Sequence, residues 1–291
     1  MNDATTQRQP RRSHGTRVRE IMTRKVVTIQ EHECVALAEQ LMAQGGIRHL
    51  PVMRGEALVG LVGDRDILGL VSDGPLLDMP VRDVMAAPVE TTGPDEGVDE
   101  ASARMAARRI DCLPVLEDGR LVGILTSTDV LAERGRLAHK GAAGPTPLPL
   151  ARDVMHRRVM TIRSDLPLRE AIQVLVGSGQ RHLPVVNEVG RAVGMFGDRE
   201  LRASVGDAAA MLNGDDAALD VEGKVVSEVM RPGALTVPQD ASVIEIADKI
   251  LDERQMALCV LDTSERIVGI ISYVDVLAAL VGRKAREVKA P

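Results

Sequence analysis

Aromatic side chains are nearly absent from this chain, which has one Phe, one Tyr and no Trp in 291 residues. Readers of single-stranded nucleic acid stack bases on aromatic platforms, so the composition argues against that class. Cysteine is scarce too. Cys34, Cys112 and Cys259 lie scattered among apolar neighbours, with neither a disulfide framework nor a paired metal-binding spacing. A reducing cytoplasm is the expected compartment. His32-Glu33-Cys34 sets potential ligands side by side, but without a second cluster no metal is expected there. No apolar stretch approaches about 18 residues and no basic segment leads into an apolar core, so neither a membrane span nor a secretion signal is expected. Phosphate-loop, nucleophile-elbow and His-Glu-x-x-His patterns are all missing, so no catalytic residues and no required cofactor are expected.

Charge is unevenly spread. The net charge is −6, yet residues 1–25 carry seven basic and two acidic side chains, a local +5 that leaves −11 for the remainder. A solvated, disordered lead-in is the plain account of this tail; electrostatic contact with nucleic acid, a membrane surface or an acidic partner is the other.

What is present is repetition. Arg48-His49-Leu50-Pro51-Val52 returns as Arg181-His182-Leu183-Pro184-Val185, with Cys112-Leu113-Pro114-Val115 between them. Four units can be indexed from Met22, Met85, Met155 and Met230, each followed six residues later by a threonine: Thr28, Thr91, Thr161 and Thr236. Twenty-nine residues after each methionine stands Pro51, Pro114, Pro184 or Cys259. A glycine follows nine residues on in the first two units (Gly60, Gly123) and ten on in the last two (Gly194, Gly269), and an acid stands six beyond it: Asp66, Asp129, Glu200, Asp275. Landmarks held in register through four copies mark a repeat, and the extra residue falls where a hairpin turn can absorb it. Units one and three share more with each other than with units two and four, as if a two-unit block had been duplicated.

Each unit reads as strand, helix, strand, strand, helix. Val243, Ile246, Ala247, Ile250 and Leu251 share one helical face. Gly45-Gly46 and Gly177-Ser178-Gly179 stop the equivalent helices. Glu117-Asp118-Gly119-Arg120 is a hairpin signal, and Thr126-Ser127-Thr128-Asp129 has the spacing of a helix capping box. A unit this small has an open sheet face and too little core to stand alone, so pairing is expected. The predicted class is α+β, four β-α-β-β-α repeats joined in two modules.

With these features in view, the chain resembles the cystathionine-beta-synthase (CBS) domain family over about residues 17–282. The resemblance rests on the Met-to-Thr first strand, the apolar-Pro-Val strand and the Gly-x-x-Ser/Thr-x-x-Asp end, seen best as Gly123-Ile124-Leu125-Thr126-Ser127-Thr128-Asp129. On that basis the chain divides into a basic tail (1–16), repeats at 17–75 and 76–138, a linker (139–150), a repeat at 151–205, a connection (206–224), a repeat at 225–282 and a short tail (283–291). The resemblance implies that consecutive repeats pair sheet to sheet and that two modules meet as a disc, within one chain or between chains of a homodimer. It further implies an adenosine-containing ligand such as AMP, ADP or ATP, bound between paired repeats, and an unknown effector protein that receives the signal. The alternative is a ligand-free interaction scaffold.

The candidate ligand residues follow from that pattern, and they include the first-strand threonines Thr28, Thr91, Thr161 and Thr236. In unit two, Thr126 and Thr128 would add donors at a helix amino end and Asp129 would accept from ribose hydroxyls, although Thr126 with Asp129 is equally a plain capping box. Ser272 and Asp275 repeat the pattern in unit four, with Val274 in place of the second hydroxyl. Units one and three depart from it: Gly63 and Gly197 replace the hydroxyl residue, Arg65 and Arg199 take the second position, and Asp66 and Glu200 keep the acid. Arg48-His49 and Arg181-His182 occur only in these odd units, where the even units read Asp111-Cys112 and Ala257-Leu258. The expectation is complementation, odd units supplying cationic charge to phosphate and even units supplying ribose contacts. His156-Arg157-Arg158 reads as a solvated turn.

Overall fold

The computed structural model describes residues 15–64, 66–67, 78–141, 148–197, 200–201, 223–253 and 255–282. Residues 1–14 of the basic tail, 142–147 of the linker, 206–222 of the connection and the tail 283–291 lie outside the described residues, as do Arg65 and Arg199.

Unit one runs α1 (Val18–Ile21), β1 (Ile29–Gln30), α2 (Val35–Gly45), β2 (His49–Arg54) and β3 (Ala57–Gly63). Unit two opens with a 3-10 turn (Val81–Asp83) and continues α3 (Val98–Arg108), β4 (Cys112–Glu117), β5 (Arg120–Thr126) and α4 (Ser127–His139). Unit three holds α5 (Ala151–Val154), β6 (Ile162–Arg163), α6 (Leu168–Ser178), β7 (His182–Val186) and β8 (Ala192–Gly197). Unit four holds α7 (Val226–Val229), β9 (Arg231–Pro232), β10 (Thr236–Pro238), α8 (Val243–Glu253), β11 (Ala257–Leu261), β12 (Ile267–Ser272) and α9 (Tyr273–Leu280). The α+β repeat is as predicted, with one addition: a helical turn precedes each indexing methionine. In units one and three the described residues reach only the start of the second helix.

Local chemistry accounts for the elements. Gly46 (φ 60°) and Gly179 (φ 65°) close α2 and α6 in the left-handed conformation. Asp118 (φ 50°) and Gly119 (φ 77°) turn the β4–β5 hairpin, whose strands are joined as Glu117 opposite Arg120. The extra residue of units three and four does sit in the hairpin loops. All four hairpins also carry a bulge at one place, where Val59, Val122, Val193 and Val268, each just before the landmark glycine, are skipped in the pairing register. A bulge bends its strand and deepens the twist.

The bend presents the glycines to the neighbouring unit. A Cβ on Gly60 would come 2.1 Å from Met85 Sδ, on Gly123 2.6 Å from Met22 Sδ, on Gly194 2.6 Å from Met230 Sδ and on Gly269 2.4 Å from Met155 Sδ. Each indexing methionine therefore packs on the landmark glycine of its pair-mate. The backbone follows: Thr23 bridges Ile124, Ala86 bridges Leu61, His156 bridges Ile270, and β9 pairs with β8. Each leading segment also docks at the first helix of the other unit, Arg17 bridging Gly97, Pro80 bridging Cys34, Leu150 bridging Ser242 and Val225 bridging Pro167. Units one and two, and units three and four, are thus paired by reciprocal exchange of their leading segments.

The two pairs are joined through units two and four. Helix α4 lies along α8, and α9 packs on α3 and α4. One apolar core runs through both units, including Met105, Leu113, Leu131, Ile246, Ile250 and Tyr273, while units one and three have separate cores around Leu50 and Phe196. A fully buried Leu or Ile contributes about 1.5–3 kcal/mol, so this shared core is a large part of what holds the pairs together.

Candidate functional site

The helix amino ends that carry the acids are built alike. In unit two, Thr126 donates its backbone N–H (2.7 Å) and its hydroxyl (2.6 Å) to Asp129 Oδ2, the Asp129 N–H returns to Thr126 Oγ1 at 3.3 Å, and Thr128 Oγ1 lies 2.9 Å from Thr126 Oγ1. The capping box is complete. Burial pushes the Asp129 carboxyl up, against the hydrogen bonds from Thr126. In unit four, Ser272 donates N–H (2.8 Å) and hydroxyl (2.6 Å) to Asp275 Oδ2. Unit one keeps the backbone half of the arrangement, with Gly63 N donating to Asp66 Oδ2 at 2.8 Å. In unit three, Glu200 Oε2 would lie 3.5 Å from a Cβ on Gly197.

The odd-unit glycines are more than the loss of one polar contact. A Cβ on Gly197 would fall 2.5 Å from the Arg181 carbonyl and 2.9 Å from His182 Nδ1, and one on Gly63 would fall 3.4 Å from His49 Cδ2. His49 pairs with Gly63 and His182 with Gly197 across the hairpin, where the even units pair Cys112 with Thr126 and Ala257 with Ser272. A large imidazole thus faces a bare glycine in the odd units, where two small side chains face each other in the even units. The same register corrects the unit-four reading: Met256-Ala257, not Ala257-Leu258, stands where the Arg-His pairs stand.

The cationic pairs converge where the four units meet. Arg181 Nη1 of unit three donates to Asp111 Oδ2 of unit two at 2.9 Å and to the Tyr273 hydroxyl of unit four at 3.3 Å. Arg48 of unit one stacks its guanidinium 5.5 Å from the centre of the Tyr273 ring. His49 Nε2 is 4.0 Å from Asp111 Oδ2. Arg181 therefore reaches into the other pair, beyond the boundary that the complementation idea drew. Desolvation lowers His49 despite the Asp111 charge, and desolvation with the charges of Arg181 and Arg48 pushes His182 down to about 4. Burial would raise Asp111, but the Tyr273 hydroxyl and the charges of Arg181, His49 and Arg48 outweigh it and hold the carboxyl below its ordinary range. Asp111 and Ser127 are buried, and Asp111 Oδ1 and Ser127 Oγ have no hydrogen-bond partner among the described residues.

The remaining candidates are more dispersed. Thr28 and Thr91 are half-buried, Thr161 is exposed, and Thr91 and Thr236 offer their carbonyls to Arg104 (3.2 Å) and Lys249 (2.9 Å). A cavity of about 380 Å³ lies at the edge of unit four, lined by Thr236, Val237, Asp240, Leu261 and Asp262 among others. It meets none of the acid and hydroxyl clusters. Among the described residues no three His, Cys, Asp or Glu side chains group as metal ligands, and no helix is long and apolar enough to cross a membrane. Burial pushes the Cys112 and Cys259 thiols up to about 12, which makes them inert.

His156 is no solvated turn. Its Nε2 lies 2.8 Å from Asp275 Oδ1, so the unit-four acid is held by Ser272 on one oxygen and by unit three on the other. That bond raises the proton affinity of His156, opposed by its partial burial. The contribution is fully present below the ordinary pKa of about 6.5 and lost as pH rises through the raised folded value. His156→Gln is expected to lose about 1 kcal/mol near pH 6 and much less near pH 9; thermal unfolding across that range reads it, and an unchanged pH slope would rule the contact out.

Comparison with known proteins places these features in a wider set. A family model described as CBS domain matches residues 18–73, 81–135, 151–207 and 226–282. An inosine-5′-monophosphate dehydrogenase of Korarchaeum cryptofilum is 36% identical over 140 residues, 44% of this chain but only 29% of that enzyme. Protein MJ1225 of Methanocaldococcus jannaschii is 26% identical over 190 residues, 63% of this chain and 68% of that protein. Its crystal structure superposes with a TM-score of 0.76, covering 90% of this chain and 99% of that chain at 24% identity, a likeness of fold.

Proposed function

This chain belongs to the CBS-domain family, with four repeats, and from that membership we propose a regulatory sensor in place of an enzyme. It binds an adenosine-containing ligand at the amino ends of α4 and α9, between paired repeats, and passes occupancy to an effector protein in the cytoplasm. The supporting observation is the cluster of Thr126, Thr128 and Asp129: two hydroxyls and a carboxylate, all partly exposed, at the amino end of a 13-residue helix. The helix dipole favours phosphate there, and the carboxylate beside it suits a ribose diol. Binding transmits a signal only where two arrangements of the pairs differ in affinity, and the contacts of Arg181 across the pair boundary are the place for such a difference to arise.

Thr128 separates ligand binding from capping, because the cap is made by Thr126 and Asp129. Thr128→Ala is expected to cost about 0.5–1.5 kcal/mol of stability, through its hydroxyl contact with Thr126, while weakening adenosine-ligand binding roughly tenfold, the equivalent of one hydrogen bond to a charged group. The assay is thermal shift with a panel of adenosine, AMP, ADP and ATP; a ligand at 100 times its Kd should stabilise the chain by about 2.7 kcal/mol. No shift with any of them would refute the sensor. The second reading, a ligand-free scaffold, is favoured by one observation: the acids Asp66, Asp129 and Asp275 already have partners within the chain.

A further inference from the structure

Among the described residues, the charges at the meeting point of the four units nearly balance, and that balance bears on ligand class. Among the described residues the cations there are Arg48, stacked on Tyr273, and Arg181, paired to Asp111. Against them stand Asp111 and Asp64, the latter near enough to act on both His49 and His182. Both imidazoles are desolvated and flanked by arginine, and so contribute little positive charge near neutral pH. The site is also adjacent to the helix ends. The Asp111 carbonyl accepts the N–H of Ser127, the first residue of α4, and Tyr273 is the first residue of α9. A ligand whose ribose reaches Asp129 and whose 5′ substituent runs past Ser127 would meet Asp111 there.

Asp111 is an unusual residue to find there. It occupies the register position that Arg48 and Arg181 hold in the odd units, is buried, and leaves Oδ1 without a partner among the described residues while Oδ2 holds Arg181. An unpaired buried carboxylate oxygen costs free energy until a donor meets it, and it repels added negative charge. We propose that Asp111 is a specificity residue that restricts the ligand to a nucleoside, or a nucleotide with a single phosphate, and disfavours di- and triphosphates. Oδ1 is closed to solvent, so a ligand meets Asp111 through its charge: one phosphate is accommodated by Arg48 and the end of α4, and each further phosphate competes with Asp111 for Arg181. This inference rests on the adenosine-sensor reading and narrows it.

The test is calorimetric titration of the full chain with adenosine, AMP and ATP, for wild type and Asp111→Asn, which keeps shape and removes charge. Wild type is expected to bind ATP at least tenfold more weakly than adenosine or AMP, and the variant to raise ATP relative to adenosine at least tenfold. ATP binding as tightly as AMP in wild type, or an unmoved ratio in folded Asp111→Asn, overturns the inference and leaves the sensor standing. If Asp111→Asn does not fold, Arg48→Gln serves in its place: it should lower ATP relative to adenosine still further, and an unchanged ratio overturns the inference. Binding of none of the three by wild type refutes the sensor itself and this inference with it.

Discussion

Gly194→Ala is expected to destabilise the chain by about 2–3 kcal/mol, the cost of overpacking a closed contact. Its new methyl would stand 2.6 Å from the Arg231 carbonyl oxygen, a backbone atom of the paired β9, as well as 2.6 Å from Met230 Sδ. Trimming the methionine as well, in Met230→Ala, removes one obstacle and leaves the other, so rescue should be slight. Gly60 is the contrast. There the three nearest atoms all belong to the Met85 side chain, at 2.1, 2.7 and 3.1 Å, and Met85→Ala should recover more than half of the loss from Gly60→Ala. Urea unfolding of the two double-mutant cycles measures both couplings. A Gly194→Ala chain within about 0.5 kcal/mol of wild type would mean that the exchanged segments do not pack as described.

The second large effect concerns the join between the pairs. Ile246 on α8 is fully buried in the core shared by units two and four. Ile246→Ala is expected to cost about 2–5 kcal/mol through lost transfer energy and the cavity left behind. The informative part is where the loss is felt. Because α4 lies along α8, amide hydrogen exchange in α4 should accelerate together with α8, though α4 is more than a hundred residues away in the chain. Acceleration confined to α8 and α9 would show the pairs to be independent.

Much of this architecture could be read from spacing. The methionine, threonine, proline, glycine and acid landmarks recur because each has a fixed place in the unit, and the α8 face, the glycine caps and the Asp118-Gly119 turn were all readable from local periodicity and turn chemistry. What spacing did not show is why the landmarks exist. Methionine and glycine are 38 or 39 residues apart within a unit, and they matter to each other only across the pair, a relation no one-dimensional pattern contains. One signal was available: valine precedes the glycine in all four units, and that valine is the bulge. The site was less readable. The Arg-His pairs stood out as cationic, yet their partners Asp111 and Tyr273 come from units two and four, and only the assembled chain brings them together. His156 looked like part of a basic turn because its acid partner lies 119 residues further on.

The traded leading segments have an evolutionary corollary. A lone copy gained or lost would leave one overhang with no groove to receive it and one groove with nothing in it. Viable gene rearrangements in such an array should therefore add or delete copies two at a time, an even-number rule written by sterics.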